Sequence, residues 1–290
     1  MIDYDYRKPG NLEEVFNLLR EYGPKATLIA GGTDVMVKIR NTKKAPEMLI
    51  SLRGLKDLCY IRKNGDYHIG ALTTHRMLEQ SDLIQEELTA LHEGASRIGS
   101  VQVRNVATIG GNICNAAPSA DTAGPLLVLD AQIQLEGPEG KRHVPITEFF
   151  TGTYRTARKE NEVVTDIRIP ADMAQFGSAY WKQSRRKAMN LPIVGIAISL
   201  RLDNQIISDA RIALVVAAPT PVRAHKAEDF LIGKPLDDTV LAEAGRIAAS
   251  TECCTLRDSL RGEAWYRGEI IEAYVPRMAK LAAQRVKKSD

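Results

Sequence analysis

The chain has 290 residues, enough for two domains each with its own core. Hydrophobic residues make up 44% and charged residues 26%, which excludes a disordered or fibrous chain and fits an ordinary globular one. Basic and acidic side chains number 39 and 36, a net charge of +3, so no general affinity for nucleic acid or a membrane surface is expected.

No apolar run approaches the length of a membrane span. The opening MIDYDYRKPG lacks the charged-then-apolar order of a signal peptide, so a cytoplasmic address is the expectation. Cys59, Cys114, Cys253 and Cys254 show neither a disulfide framework nor C-x-x-C spacing. His68, His75, His92, His143 and His225 stand alone, without partners at metal-ligand spacing. They read as isolated surface or half-buried side chains, and no metal or iron–sulfur cluster is expected on this chain.

Strand-like residues come first, at 2–6. Asn11 reads as a helix N-cap with Glu14 as its capping-box partner. Leu12, Val15, Phe16 and Leu19 recur at helical spacing, and Gly23-Pro24 ends the helix. ATLIA (26–30) is a short apolar strand, giving a small β-α-β unit, and EMLISL (47–52) adds another strand. In YIRKNGDYHIGAL, Asn64-Gly65 predicts a hairpin with a type I′ turn, both residues at positive φ. Ile84, Leu88, Leu91, Ala95 and Ile98 predict one long helix over 82–98. PLLVLD (125–130) reads as a short helix, and AQIQLEG (131–137) as a strand turned back by GPEG (137–140).

EVVTDIRIP (162–170) and GSAYWKQSR (177–185) predict further strands. Ile196, Ile198, Leu200 and Leu202 alternate with Gly195, Ala197, Ser199 and Arg201, the pattern of a strand buried on one face. Asp203-Asn204 turns it into ARIALVVAA (210–218). Helical patterns follow near 223–232, 237–250 and 263–287, with Pro276 placed to kink the last. ADMAQFGS (171–178) divides a mixed α/β region from a smaller region of strands followed by helices.

Two Gly-Gly stretches carry the chemistry. In LIAGGTD (28–34) a strand feeds Gly31-Gly32 and then Thr33-Asp34, exposing consecutive amides as an anion nest suited to a pyrophosphate. Neither G-x-G-x-x-G nor the Walker lysine pattern is present, and an isolated pair is equally a tight turn. TIGGNICNAAPSAD (108–121) repeats the pairing, with Thr108 and Asn112 able to bond phosphate or ribose oxygens. Asn115, Ser119 and Asp121 continue it as a loop of small and polar residues, a poor core element that makes sense wrapped around a ligand. Two such stretches fit an extended dinucleotide held from two sides.

Cys114 reads as a small packed residue rather than a nucleophile. Lys182, mid-strand in AYWKQS, needs an anionic partner or a ligand acceptor and is a reasonable cofactor contact. The RRK that follows (185–187) reads as a solvated loop, and the terminal RVKKSD suits the negative end of a helix dipole.

LIAGGTD, QVRNVATIGGNICNAAPSAD, YWKQSRR and RIALVVAAPTPVRAHKAEDFLIGK together resemble the flavoprotein (medium) subunit of molybdenum hydroxylases. That family includes xanthine dehydrogenase, aerobic carbon monoxide dehydrogenase and nicotinate dehydrogenase. The resemblance implies an α+β chain. Its FAD-binding domain would be of the vanillyl-alcohol-oxidase (p-cresol methylhydroxylase) type at 1–175, with α/β subdomains at about 1–55 and 56–175. A C-terminal domain at 176–290 would combine an antiparallel sheet with helices.

By the same resemblance, Thr27, Leu28, Ile29, Ala30, Gly31, Gly32, Thr33 and Asp34 wrap the FAD pyrophosphate. Ala107, Thr108, Gly110, Gly111 and Asn112 grip it from the other side, with Asn115 and Asp121 completing that wall. Lys182, Ile98 and Gly99 would lie near the flavin ring, and Val163 or Val164 would make an apolar contact. Ile98 is a departure, because some relatives carry a stacking aromatic there; an aliphatic residue implies a more open flavin face or one covered by a partner chain.

The implied function is electron transfer: non-covalent FAD takes electrons from 2Fe–2S clusters on a small partner and passes them to NAD⁺. A molybdenum cofactor on a large partner would meet the organic substrate, in a heterotrimer dimerised to a heterohexamer. No catalytic acid or base and no metal ligand is expected here. The alternatives are a stand-alone FAD oxidoreductase of the same fold and a non-enzymatic nucleotide-binding module.

Overall fold

The computed structural model describes residues 3–287, so the ends of the 2–6 strand and of RVKKSD lie outside the described residues. The first unit comprises β1 (Asp5–Arg7), α1 (Leu12–Tyr22), β2 (Ala26–Ile29), α2 (Val35–Thr42) and β3 (Met48–Ser51). Asn11 Oδ1 accepts the Glu14 amide at 2.9 Å, as a capping box requires. The return bond from Glu14 goes to the Gly10 amide, at 2.9 Å, one residue before the cap. β3 lies between β1 and β2 and runs parallel to both. Met48 and Ile50 pack with Val15 and Leu19 of α1 in this unit's core. Ile29 pairs with Ser51 in that parallel register. Both chains therefore leave the sheet at one end, and the residues that follow them must meet.

The second unit begins with β4 (Ile61–Asn64), β5 (Asp66–Gly70), α3 (His75–Glu79), α4 (Asp82–Glu87), α5 (Thr89–Ser96), α6 (Val101–Arg104), α7 (Ile109–Asn115) and α8 (Ala123–Val128). It continues with β6 (Gln132–Gly137), β7 (Gly140–Pro145), α9 (Ile146–Phe149), β8 (Phe150–Gly152), β9 (Arg155–Thr156) and β10 (Val163–Ile169). Five of these strands form an antiparallel sheet in the order β4-β5-β10-β6-β7.

Two expectations fail here. Gly65 alone takes positive φ (68°) while Asn64 stays in its strand paired with Asp66, so the hairpin turn is not type I′. The long helix over 82–98 is instead α4 and α5, separated by Leu88 at φ −129° and ψ 51°. Redirecting the chain there keeps Ile84, Leu88, Leu91 and Ala95 in one core, and leaves Ile98 beyond the helix.

The third unit is β11 (Gly177–Gln183), β12 (Val194–Asp203), β13 (Ile206–Val215), β14 (Val222–Arg223), α10 (His225–Leu231), α11 (Asp238–Ala248) and α12 (Ala264–Gln284). Its strands form an antiparallel sheet in chain order. The tight turn is Asn204-Gln205, at φ 46° and 69°, one residue later than expected. β12 is buried on both faces as far as Leu200 rather than on one. Ile196, Ile198 and Leu200 pack with α11 and α12, whereas Ala197 joins Tyr180 and Ala213 in the core of the second unit.

Small residues on that second face let α8 lie close: a Cβ on Gly124 would stand 2.9 Å from Val215 Cγ2. α12 runs through Pro276, and the Glu272 carbonyl that a proline cannot satisfy lies against Gly245. Among the described residues no helix is long and apolar enough to cross a membrane.

Candidate cofactor site

The first Gly-Gly stretch leaves β2 as a bent loop with Gly32 at φ 80°. The amides of Gly31, Gly32, Thr33 and Asp34 have no hydrogen-bond partner among the described residues, an unpaired run suited to an anion. Arg53 holds the other side of the loop. Its Nε and Nη2 donate to the carbonyls of Ala30 and Gly31 at 3.2 and 3.0 Å. The sequence reading missed Arg53, although the β2–β3 register offers a signal: residue 53 stands two beyond Ser51, level with Gly31. Thr27, Leu28 and Ile29 form the half-buried strand beneath.

The second Gly-Gly stretch is not the loop expected from its composition. Ile109–Asn115 is helix α7, capped by Thr108, whose Oγ1 accepts the Gly111 amide at 3.1 Å. The Ile109 and Gly110 amides donate to the carbonyls of Thr73 and Ala71 at 3.0 and 2.9 Å. These amides are consumed by the fold, so this stretch is no second anion nest. A Cβ on Gly110 would stand 2.6 Å from the Ala71 carbonyl oxygen, so that glycine permits close packing. Gly costs a helix about 1 kcal/mol relative to Ala, and here the packing outweighs it.

Gly111 faces the first stretch: a Cβ there would lie 3.7 Å from Ala30 Cβ, and 2.9 Å from Thr108 Oγ1 of its own cap. Gly31 in turn sits against the segment leading into α7, with a Cβ there 2.1 Å from the Val106 carbonyl oxygen. The fold therefore brings the two stretches together, backbone against backbone. Ala107 is buried behind the cap. Asn112 Oδ1 accepts from Thr122 Oγ1 at 2.6 Å, while Asn115 stands half-buried at the far end of α7. Cys114 packs against the core, and burial pushes its thiol up to about 11, which suits an inert residue.

Asp121 and Lys182 are partners. Lys182 Nζ lies 2.7 Å from Asp121 Oδ2 and donates to the Arg97 carbonyl at 3.1 Å. Tyr180 Oη donates to Asp121 Oδ1 at 2.8 Å. Tyr180 and Lys182 share one face of β11, opposite Ala197 and Gly195. A Cβ on Gly195 would come 2.7 Å from Tyr180 Oη, so that glycine makes room for the bond. Burial raises the Asp121 carboxyl, against the lowering effect of Lys182.

Ile98 is buried and Gly99 takes φ 48°. Arg104 fixes this corner: it donates to the Ile98 carbonyl at 3.0 Å and grips Glu79 with two bonds of 2.8 and 3.0 Å. Val163 and Val164 point opposite ways from β10. Val163 packs with Leu72 near Leu28 and Ala30, and Val164 enters the other core, which also holds Ile109 and Ile113 of the second stretch. His75 also departs from the sequence reading: it is fully buried, and neither ring nitrogen has a partner among the described residues.

Unpaired amides at Gly31–Asp34, next to the place where Gly111 faces Ala30, fit a pyrophosphate-bearing cofactor. Residues 2–172 match the family described as the FAD binding domain in molybdopterin dehydrogenase. Residues 179–282 match the CO dehydrogenase flavoprotein C-terminal domain. The xanthine dehydrogenase FAD-binding subunit of Escherichia coli is 37% identical over 82% of each chain. The carbon monoxide dehydrogenase medium chain of Hydrogenophaga pseudoflava is 35% identical over 97% of this chain and 98% of its own. In the solved structure of that organism's enzyme, a chain superposes with a TM-score of 0.93 at 35% identity, covering 98% of both. The mixed α+β architecture and the match along nearly its whole length lead to one assignment: the chain belongs to the FAD-binding medium subunits of the molybdenum hydroxylase family.

Proposed function

We propose that this chain carries FAD between its two glycine stretches and serves as the electron-transfer subunit of a heteromeric molybdenum hydroxylase. One observation carries the reading: a run of four unpaired amides, Gly31 to Asp34, follows directly on Ala30, whose Cβ faces Gly111. In this reading residues 1–175 are the FAD-binding domain, with subdomains at about 1–55 and 56–175, and residues 176–290 are the C-terminal domain.

The first stretch donates its amides to the pyrophosphate, and Arg53 holds those amides outward by engaging the carbonyls behind them. Gly111 and Asn112 form the facing wall. Asp121 and Tyr180 hold the Lys182 ammonium at the edge of the site, and Arg104 holds Ile98 and Gly99 there. FAD held there would supply the redox chemistry between 2Fe–2S clusters on a small partner and NAD⁺, with a molybdenum cofactor on a large partner to meet the organic substrate.

No acid or base on this chain acts on that substrate. The relatives bear names such as medium chain and FAD-binding subunit, which supports an assembly with other chains. We propose a heterotrimer dimerised to a heterohexamer, in the cytoplasm.

Affinity purification of the tagged chain from cells expressing its partners tests this reading. Chains holding molybdenum cofactor and 2Fe–2S clusters are expected to follow it, and the complex is expected to reduce NAD⁺ with a hydroxylatable substrate. Reduction of a quinone or ferredoxin alone would refute the NAD⁺ assignment. Turnover of an organic substrate by this chain alone would establish the stand-alone oxidoreductase instead.

A further inference from the structure

Beyond Lys182 the chain forms the loop between β11 and β12, closed where the Ile193 amide donates to the Gln183 carbonyl at 2.7 Å. The loop contains the Arg-Arg-Lys run and, with residues around 261, forms a half-open groove of about 400 Å³ whose arginines are exposed. Arg185, Arg186, Asn190, Leu191, Ile193 and Arg261 line it. None of the three arginines makes a salt bridge among the described residues. Arg185 Nη2 instead leans toward the carbonyls of Leu260 and Arg261 at 3.4 and 3.3 Å, and Arg186 Nη2 donates to the Met189 carbonyl at 2.9 Å.

A fourth guanidinium lies behind them. Arg267 is buried and donates to Ile193 O, Arg257 O and Ser259 Oγ, with no carboxylate partner among the described residues. Burial and the charges of Arg257 and Arg261 push it down from the usual arginine range. Residues 185–187 and 257–267 hold six basic side chains against two acidic ones, Asp258 and Glu263. Both acids are engaged locally, Asp258 by the Ala264 amide and Glu263 by the Trp265 indole.

Like charges gathered without counterions raise a positive local potential that attracts anions. Guanidinium forks match phosphate oxygens in pairs. Leu191 and Ile193 add an apolar wall, and the volume falls in the range of small-molecule pockets. We propose that Arg185, Arg186, Asn190 and Arg261 form a binding site for the phosphate groups of a small phosphorylated ligand of the nucleoside diphosphate class. The loop also reaches the corner assigned to the flavin, because the Met189 amide donates to the Gly99 carbonyl at 3.1 Å. The pocket contains none of the residues assigned to FAD.

Calorimetric titration of the full-length FAD-loaded chain with ADP and with inorganic pyrophosphate tests the site. Both are expected to bind saturably and to weaken as salt rises. Arg261 is the residue to change, since its side chain makes no hydrogen bond within the described residues. Arg261→Glu is expected to weaken both probes at least about tenfold, the loss of one charge-assisted contact. Flavin content and unfolding midpoint should stay at wild-type values.

Absence of binding to the wild-type chain, or equal affinity in Arg261→Glu, overturns the proposal. Binding of a glutamate-rich peptide in place of both phosphate probes also overturns it and assigns the pocket to an acidic protein segment. Flavin content, read by visible absorbance on the same samples, reports on the FAD reading separately.

Discussion

Lys182 Nζ lies 2.7 Å from Asp121 Oδ2, and the two side chains are only 5% and 6% exposed. The pair ties β11 to the segment before α8, so it belongs to the packing of the third unit on the second as well as to the candidate site. Removing one partner of a buried pair costs about 3–5 kcal/mol, because the other charge is left behind. Asp121→Ala is expected to lose that much in denaturant unfolding. The double substitution with Lys182→Met is expected to lose less than the two single losses combined. Strict additivity would show that the two do not act as a pair.

The same pair sets a pH dependence. Burial raises the Asp121 carboxyl, and Lys182 opposes the rise; Lys182→Met removes the opposition. A folded-state value above the unfolded one stabilises fully below the unfolded value, and that stability is lost as pH rises through the folded value. Lys182→Met is therefore expected to lose stability relative to wild type as pH climbs past the wild-type folded value, which itself lies above the ordinary aspartate value of 3.8. A deficit that stays constant with pH would reject this account.

His75 acts in the opposite direction. Burial, assisted by the Arg104 charge, lowers it from 6.5 to about 3. The folded chain thus refuses a proton that the unfolded chain takes up. Stability is full above pH 6.5 and falls by roughly 1.4 kcal/mol per pH unit as pH drops from there toward 3. His75→Phe is expected to flatten that acid limb in thermal unfolding scans run across the range. An unchanged slope would place the acid lability elsewhere.

Adjacent glycines should separate fold from cofactor. A Cβ at Gly110 runs into the Ala71 backbone, whereas one at Gly111 enters the space beside Ala30 and crowds the Thr108 cap, 2.9 Å away. Gly110→Ala is expected to destabilise the cofactor-free chain by about 1–3 kcal/mol, the cost of overpacking. Gly111→Val is expected to reduce FAD content far more than Gly110→Ala does at equal stability. Matching FAD loss in both would remove Gly111 from the wall of the site.

Arg53 is exposed and, among the described residues, bonded only to the carbonyls of Ala30 and Gly31, so its loss should spare the fold and loosen the loop. Arg53→Ala is expected to weaken FAD binding about tenfold, the equivalent of about 1.4 kcal/mol. Arg53→Lys should recover only part of it, since an ammonium lacks the planar fork. Wild-type affinity in Arg53→Ala would show that the loop holds its shape unaided.

Much of the fold was legible because periodicity and capping are local signals. Asn11 with Glu14, the alternation of β12 and the apolar face of α4 and α5 all lie within a few residues of one another. What failed was decided by tertiary packing. The break at Leu88 and the burial of both faces of β12 depend on which elements lie against them.

TIGGN was misread for the same reason: its glycines serve the approach of α7 to Ala71, a contact some forty residues away in sequence. The convergence of the two stretches was legible from their shared composition. Arg53, Tyr180 and Arg104 were not, since each acts through a neighbour that only strand register or helix packing supplies.

Titration of the purified, cofactor-free chain with FAD, followed by the quenching of flavin fluorescence, tests the central claim most directly. Saturable binding of one FAD per chain, releasable by denaturation and sharply weakened by Gly111→Val, is the predicted result. A wild-type chain that stays colourless in excess FAD, or a Gly111→Val chain that binds it undiminished, would contradict a cofactor seated between the two glycine stretches.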